Sequence, residues 1–112
     1  MRNSNVGIDI VEVSRFKQFT RRSRSAFLKR VFFATEVKYC FARGAPAMHL
    51  AGIFAAKEAA SKALGTAKYP LVELEIRHTR SGAPEVWYKG RKLRVRVSIT
   101  HTETVAAAVA LH

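Results

Sequence analysis

The chain has one cysteine, Cys40, among 112 residues. No internal disulfide can form, and a lone thiol fits a reducing compartment. Acidic residues are scarce as well: eight Asp+Glu stand against twenty Lys+Arg, a net charge of +12. A field of that sign favours anionic partners and excludes acidic tails or solvating segments as the basis of function. No apolar run reaches the roughly 20 residues a spanning helix needs. The first residues lack the apolar core of a secretory signal. The expectation is a cytoplasmic protein with no membrane partner. Repeats, linkers and low-complexity tracts are absent, so residues 1–112 read as one domain. A hydrophobic content of 48% excludes disorder by composition.

What is present is organised around one stretch, His49 to Leu64, HLAGIFAAKEAASKAL. Ala and Leu are the strongest helix formers, and Gly65 supplies the stop. Ile53, Ala56, Ala60, Ala63 and Leu64 recur at helical spacing, and the small alanines point to close packing on more than one side. Only Lys57, Glu58 and Lys62 carry charge. Glu58 and Lys62, four apart, share a face; such a pair is ordinary on an exposed helix. On a largely buried helix the same two groups need partners or a ligand.

Upstream, Val6 to Val13, VGIDIVEV, reads as a strand. Alternation sets Val6, Ile8, Ile10 and Glu12 on one face and Gly7, Asp9, Val11 and Val13 on the other. Asp9 is the anomaly. Two readings stand: a solvated or Arg-paired edge residue, or a ligand to a hard cation such as Mg²⁺. That ion takes one or two carboxylates and fills its octahedron with water and phosphate oxygens.

Residues 15 to 43 hold nine bases, among them Arg15, Arg22, Arg24 and Arg43, against Glu36 alone. So dense a run favours an acidic partner over a merely solvated surface. Ser14 and Ser25 are candidate caps for two short helices, and a third runs from about Thr35 to Arg43, ending at Gly44. After Gly65 the period changes to two. Strands are expected over Leu71–Thr79 and Glu85–Lys89 about a turn at Ser81–Pro84, then a hairpin of Leu93–Thr100 and Thr104–Leu111. His101 sits at the tip, either as a structural residue or as a donor to phosphate or carboxylate.

VGIDIVEVSRF, FFATEVKYC, FAAKEAASKALGT, SGAP and VSITHT followed by VAAAVAL occur in this order along nearly the whole chain. In order and rough spacing they resemble the holo-acyl-carrier-protein synthase family, small 4'-phosphopantetheinyl transferases. The resemblance implies an α+β fold, with one long central helix packed with short helices against an antiparallel sheet. It implies transfer of the phosphopantetheine arm of coenzyme A to a serine of an acidic acyl carrier protein, with release of adenosine 3',5'-bisphosphate, in a homotrimer. By the same resemblance Asp9 and Glu58 hold Mg²⁺, and Lys62 steadies the pyrophosphate. Arg43, Gly65, Thr66 and His101 lie along coenzyme A, while Arg15, Arg22 and Arg24 meet the carrier protein. The general base stays open between Glu58, a metal-bound water and another group.

Three departures from the family pattern are visible. Ile53 replaces a usual arginine. Phe33 replaces a small capping residue, which moves the expected cap to Thr35. The segment before the VSITH strand is short. The competing class is a basic nucleic-acid-binding domain without enzymatic activity, suggested by charge and interleaved aromatics; it gives Asp9 and Glu58 no role.

Overall fold

The computed structural model of the chain describes residues 5–23 and 25–112. Strand β1 (Val6–Glu12) alternates as its sequence dictates: Gly7 and Val11 are buried, while Val6, Ile8 and Ile10 are 63%, 66% and 71% exposed. It pairs antiparallel with β6 (Val105–Leu111), which also pairs with β5 (Arg96–His101), giving a sheet of order β1-β6-β5. The register sets Val6 opposite Leu111, Ile8 opposite Val109 and Asp9 opposite Ala108. Ala106, Ala108 and Ala110 turn inward, where small side chains leave room for a helix.

That helix is α3 (Pro46–Leu64), which lies across β1, β5 and β6. It begins three residues before the expected start, with proline at the first helical position, where no amide partner is lost. Ala45 precedes it in the left-handed region (φ 57°). Leu50, Ala51, Ala55, Ala56, Ala59 and Ala60 are fully buried, so nearly every side of the helix meets protein. The approach to β1 is very close. A Cβ on Gly7 would stand 1.9 Å from the Ala59 carbonyl oxygen, which only glycine avoids.

The remaining strands form a second antiparallel sheet, β2-β3-β4, from β2 (Leu74–His78), β3 (Pro84–Tyr88) and β4 (Arg91–Lys92). The expected strand from Leu71 starts later, because Leu71–Glu73 is a 3-10 turn closed by the Glu73 amide on the Pro70 carbonyl. Helices α1 (Ala26–Val31) and α2 (Ala34–Phe41) cover the core between β1 and α3 in chain order. Ser25 caps α1 by accepting the Phe27 amide, as expected. Ser14 caps nothing: it lies inside a 3-10 turn, Val13–Phe16, and Val13 is still held by the Thr104 carbonyl. Nor does the α2 cap move to Thr35. The helix starts after Phe33, whose amide donates to the Glu36 carboxylate at 2.8 Å, and the Thr35 hydroxyl donates to Glu75 instead.

Two features fix these helices on α3. Phe16 sits at the centre of an aromatic cluster with Phe19, Phe27, Phe32 and Phe54, at centroid separations of 5.7 to 6.2 Å. Beside it, Lys57 and Glu36 form a salt bridge closed to solvent. The other oxygen of Glu36 accepts the Ile76 amide, and the Lys57 ammonium also donates to the Val31 carbonyl. The fully buried charge on the central helix is therefore Lys57, with Glu58 part-exposed and Lys62 turned to solvent. Cys40 lies fully buried in the same core, its thiol pushed up to about 12 by burial and by the charge of Glu36.

Candidate active site

The missing side chain at Gly7 lets β1 settle onto α3, and that contact brings strand and helix functional groups together. Asp9, two residues further along the same face, reaches the last turns of α3. Its Oδ1 lies 3.6 Å from the Lys62 ammonium, which donates to the Ile8 carbonyl at 3.0 Å. Asp9 is 18% exposed and Lys62 48%. Glu58, one turn before Lys62, is near enough to feel both. Burial, then the negative charge of Asp9, pushes its carboxyl up from the ordinary value; Lys62 and Arg15 pull it back by less. Arg15 is held over the ring of Phe54, 5.2 Å from its centroid. Asp9, Glu58, Lys62 and Arg15 thus form one cluster.

Two part-buried carboxylates that repel each other suit a divalent cation, which would relieve the repulsion. Among the described residues no group of three or more His, Cys, Asp or Glu could hold a metal. A site with two carboxylates fits Mg²⁺, which draws most of its shell from water and phosphate oxygens, and does not fit a closed structural zinc site.

Beyond Lys62 the chain turns at Gly65, whose φ of 107° suits glycine, and Gly65 and Thr66 lie exposed at the α3 C-terminus. Arg43 and His101 belong to a second cluster. Arg43 donates to the Tyr39 carbonyl at 3.0 Å and lies 3.6 Å from that ring's centroid. His101 makes an edge contact with His49 at 5.7 Å. His49 and Glu58 are nine residues apart on α3, about 14 Å of helix rise, so within one chain the expected site residues fall into two groups. Arg22 is exposed. Arg24 lies outside the described residues.

Sequence reasoning missed Tyr39, His49 and His78. His78 stacks on Tyr39 at 3.8 Å with rings 4° from parallel, and His49 packs edge-on against Tyr39. The available signal was the histidine count: three of the four in the chain meet in this cleft. Ile53 is buried and lines the same cleft.

The sequence profile of the 4'-phosphopantetheinyl transferase superfamily matches residues 5–110. The chain is 42% identical over 111 residues to the holo-[acyl-carrier-protein] synthase of Chlorobaculum parvum, covering 95% of each chain. It is 39% identical to that of Thermodesulfovibrio yellowstonii, covering 92% of each. Among solved structures, the holo-[acyl-carrier-protein] synthase from Neisseria meningitidis superposes with a TM-score of 0.78 at 28% identity, over 96% of this chain and 95% of that one. The Bacillus anthracis enzyme, solved with CoA (3',5'-ADP), gives 0.76 at 28% identity, over 96% and 93%. Profile, full-length relatives and superposition agree: the chain belongs to the 4'-phosphopantetheinyl transferase superfamily.

Proposed function

We propose that the cluster of Asp9, Glu58 and Lys62 is the reacting centre of a holo-[acyl-carrier-protein] synthase. The chain transfers the 4'-phosphopantetheine arm of coenzyme A to a serine of an apo acyl carrier protein. The observation that carries this reading is the convergence of Asp9 from β1 and Lys62 from α3, at 3.6 Å, with Glu58 under the influence of both. Family membership gives the reaction class.

In the reaction the serine oxygen bonds to the β-phosphorus of coenzyme A. The bond from that phosphorus to the bridging oxygen breaks, and adenosine 3',5'-bisphosphate leaves. Asp9 and Glu58 would hold Mg²⁺, which when bound supplies positive charge beside the phosphate oxygens. Lys62, anchored on the Ile8 carbonyl, offers a fixed ammonium to the pyrophosphate and to the departing phosphate. Gly65 and Thr66 extend this end of the site along the cofactor, and Arg43 and His101 receive its far anionic end. The serine proton passes to a base at the cluster, for which Glu58, a metal-bound water and another group are the candidates.

Arg15 and Arg22 are the described arginines assigned to an acidic carrier protein, with Arg24 assigned to it by the family resemblance alone. The outer face of the first sheet supports a homotrimer. Val6, Ile8, Ile10, Val109 and Leu111 are exposed and adjacent across the β1–β6 register, an apolar patch that a partner copy would cover. No helix among the described residues is long and apolar enough to cross a membrane. The buried free thiol of Cys40 fits the reducing conditions of a cytoplasmic setting. The nucleic-acid reading leaves the carboxylate pair without a purpose.

The test is a mass-shift assay with apo carrier protein, coenzyme A and Mg²⁺. The carrier should gain the phosphopantetheine mass, and excess chelator should stop the gain. A carrier left unmodified under all conditions would refute the transferase.

A further inference from the structure

Ala34, Val37 and Phe41 recur along α2 at spacings of three and four, so they share one side of the helix. That side meets Leu28 and Phe32 from the end of α1, and between the two helices lies a groove of about 630 Å³. Leu28 and Phe32 are buried, Val37 and Phe41 are half-buried, and Ala34 is exposed, so the apolar wall is open to solvent. Arg21, Lys29 and Lys38 also line the groove, and all three are exposed. Arg21 donates one N–H to the Phe41 carbonyl at 2.9 Å, which holds its guanidinium against the end of α2. Among the described residues no carboxylate lines the groove, and none of these three cations is in a salt bridge. We propose that this groove binds a fatty carboxylate, with its alkyl chain along Phe32, Val37 and Phe41 and its anionic head among Arg21, Lys29 and Lys38.

The two halves of that ligand answer the two halves of the groove. Its volume lies within the roughly 300–1,000 Å³ of small-molecule clefts, which are mostly apolar with a few placed polar groups. An alkyl chain removes the exposed parts of Val37 and Phe41 from water, and the hydrophobic effect favours that in proportion to the area covered. A neutral chain leaves the three cations unanswered, and a short anion leaves the apolar wall wet. Only a molecule with both parts satisfies both. The charges act near solvent, so their share of the affinity falls as salt is added. None of the groove residues belongs to the cluster of Asp9, Glu58 and Lys62, so the inference does not rest on the transferase reading. Phe32 links the groove to the rest of the molecule, since its other side meets Phe16 at 6.0 Å and Phe54 at 6.5 Å. A chain seated on Phe32 therefore braces the aromatic cluster, and a ligand that binds only the folded chain raises its stability.

The experiment is titration calorimetry and thermal melting of the intact protein with three probes: decanoate, decan-1-ol and acetate. Decanoate should bind saturably, one molecule per chain, and raise the melting temperature. Decan-1-ol should bind about tenfold more weakly, as the loss of exposed charge pairs implies, and acetate should not bind. Lys29→Glu with Lys38→Glu should weaken decanoate by about tenfold and leave decan-1-ol unchanged. Val37→Trp, which fills the groove, should weaken both. Decanoate binding no tighter than decan-1-ol, or binding that Val37→Trp leaves intact, would overturn the inference. Two other occupants have their own signatures. If a second copy of the chain covers the groove, Val37→Trp changes the sedimenting mass and decanoate does not bind the parent. If an acidic protein occupies it, the lysine variants lose carrier binding and decanoate again does not bind. Either result overturns the inference and leaves the transferase standing. If a variant does not fold, the ranking of the three probes on the unaltered protein decides.

Discussion

Lys57 and Glu36 meet at 2.7 Å with neither side chain reaching solvent. Their charges tie four elements together, since the pair joins α3 to α2 and also holds the end of α1 through Val31 and β2 of the second sheet through Ile76. Removing one partner strands the other charge in an apolar core. Lys57→Met should therefore cost about 3–5 kcal/mol in denaturant unfolding. Lys57→Met combined with Glu36→Leu should recover much of that loss. A single variant as stable as the parent would mean the charges are dispensable one at a time.

Gly7→Ala tests the contact between β1 and α3. The added methyl would overlap the Ala59 carbonyl, and backbone cannot step aside as a flexible side chain could. A loss of at least about 1–3 kcal/mol is expected, together with a fall in transfer, because the displaced strand carries Asp9. Wild-type melting and turnover would contradict the close approach.

Asp9→Asn and Glu58→Gln should each abolish Mg²⁺-dependent transfer while leaving the circular dichroism spectrum unchanged. The pair also makes a prediction about pH. The folded-state value for Glu58 is raised, so its contribution to stability is present below the unfolded value and is lost as pH rises through the folded one. Asp9→Asn removes one cause of that loss. It should make the metal-free protein slightly more stable at pH 7, with no gain at pH 4. Parallel thermal melts at the two pH values decide.

Lys62→Ala should lower kcat by about 10²–10³ and leave the carrier KM nearly unchanged. Lys62 stands 3.6 Å from Asp9, anchored on the Ile8 carbonyl. A change confined to the carrier KM would move Lys62 to the docking surface.

Arg15→Glu should weaken carrier binding at low salt, with the difference shrinking as ionic strength rises. Arg15 also lies within electrostatic reach of Glu58, so a small fall in kcat should accompany the loss. Calorimetry with carrier and coenzyme A separately will divide the two effects.

Local pattern carried much of this molecule. The two faces of β1 follow from strict alternation, and Gly7, Val11 and Val13 are buried as that alternation requires. The alanine-rich helix and the serine cap on Ala26 follow from propensity and capping chemistry. Less legible was whatever depends on residues distant in sequence. Lys57 looks like any helix lysine until Glu36, twenty-one positions earlier, is folded against it. The histidine cleft is assembled from α3 and two strands on different sheets, and no spacing rule links positions 49, 78 and 101. Leu71 alternates convincingly with its neighbours, yet Pro70 turns the backbone into a 3-10 segment first. Asp9 and Glu58 could be singled out because each is an acid in apolar company, and the family resemblance joined them to Lys62; the 3.6 Å approach of Asp9 to Lys62 required three dimensions.

Cys40, sealed in the core with its thiol held near 12, has a practical consequence. Thiolate is the reactive form, so thiol-directed alkylating reagents find no cysteine target while the fold is closed. Labelling of this single thiol then becomes a clock for opening of the molecule: its rate reports how often the interior is laid bare, without any probe having to be engineered in.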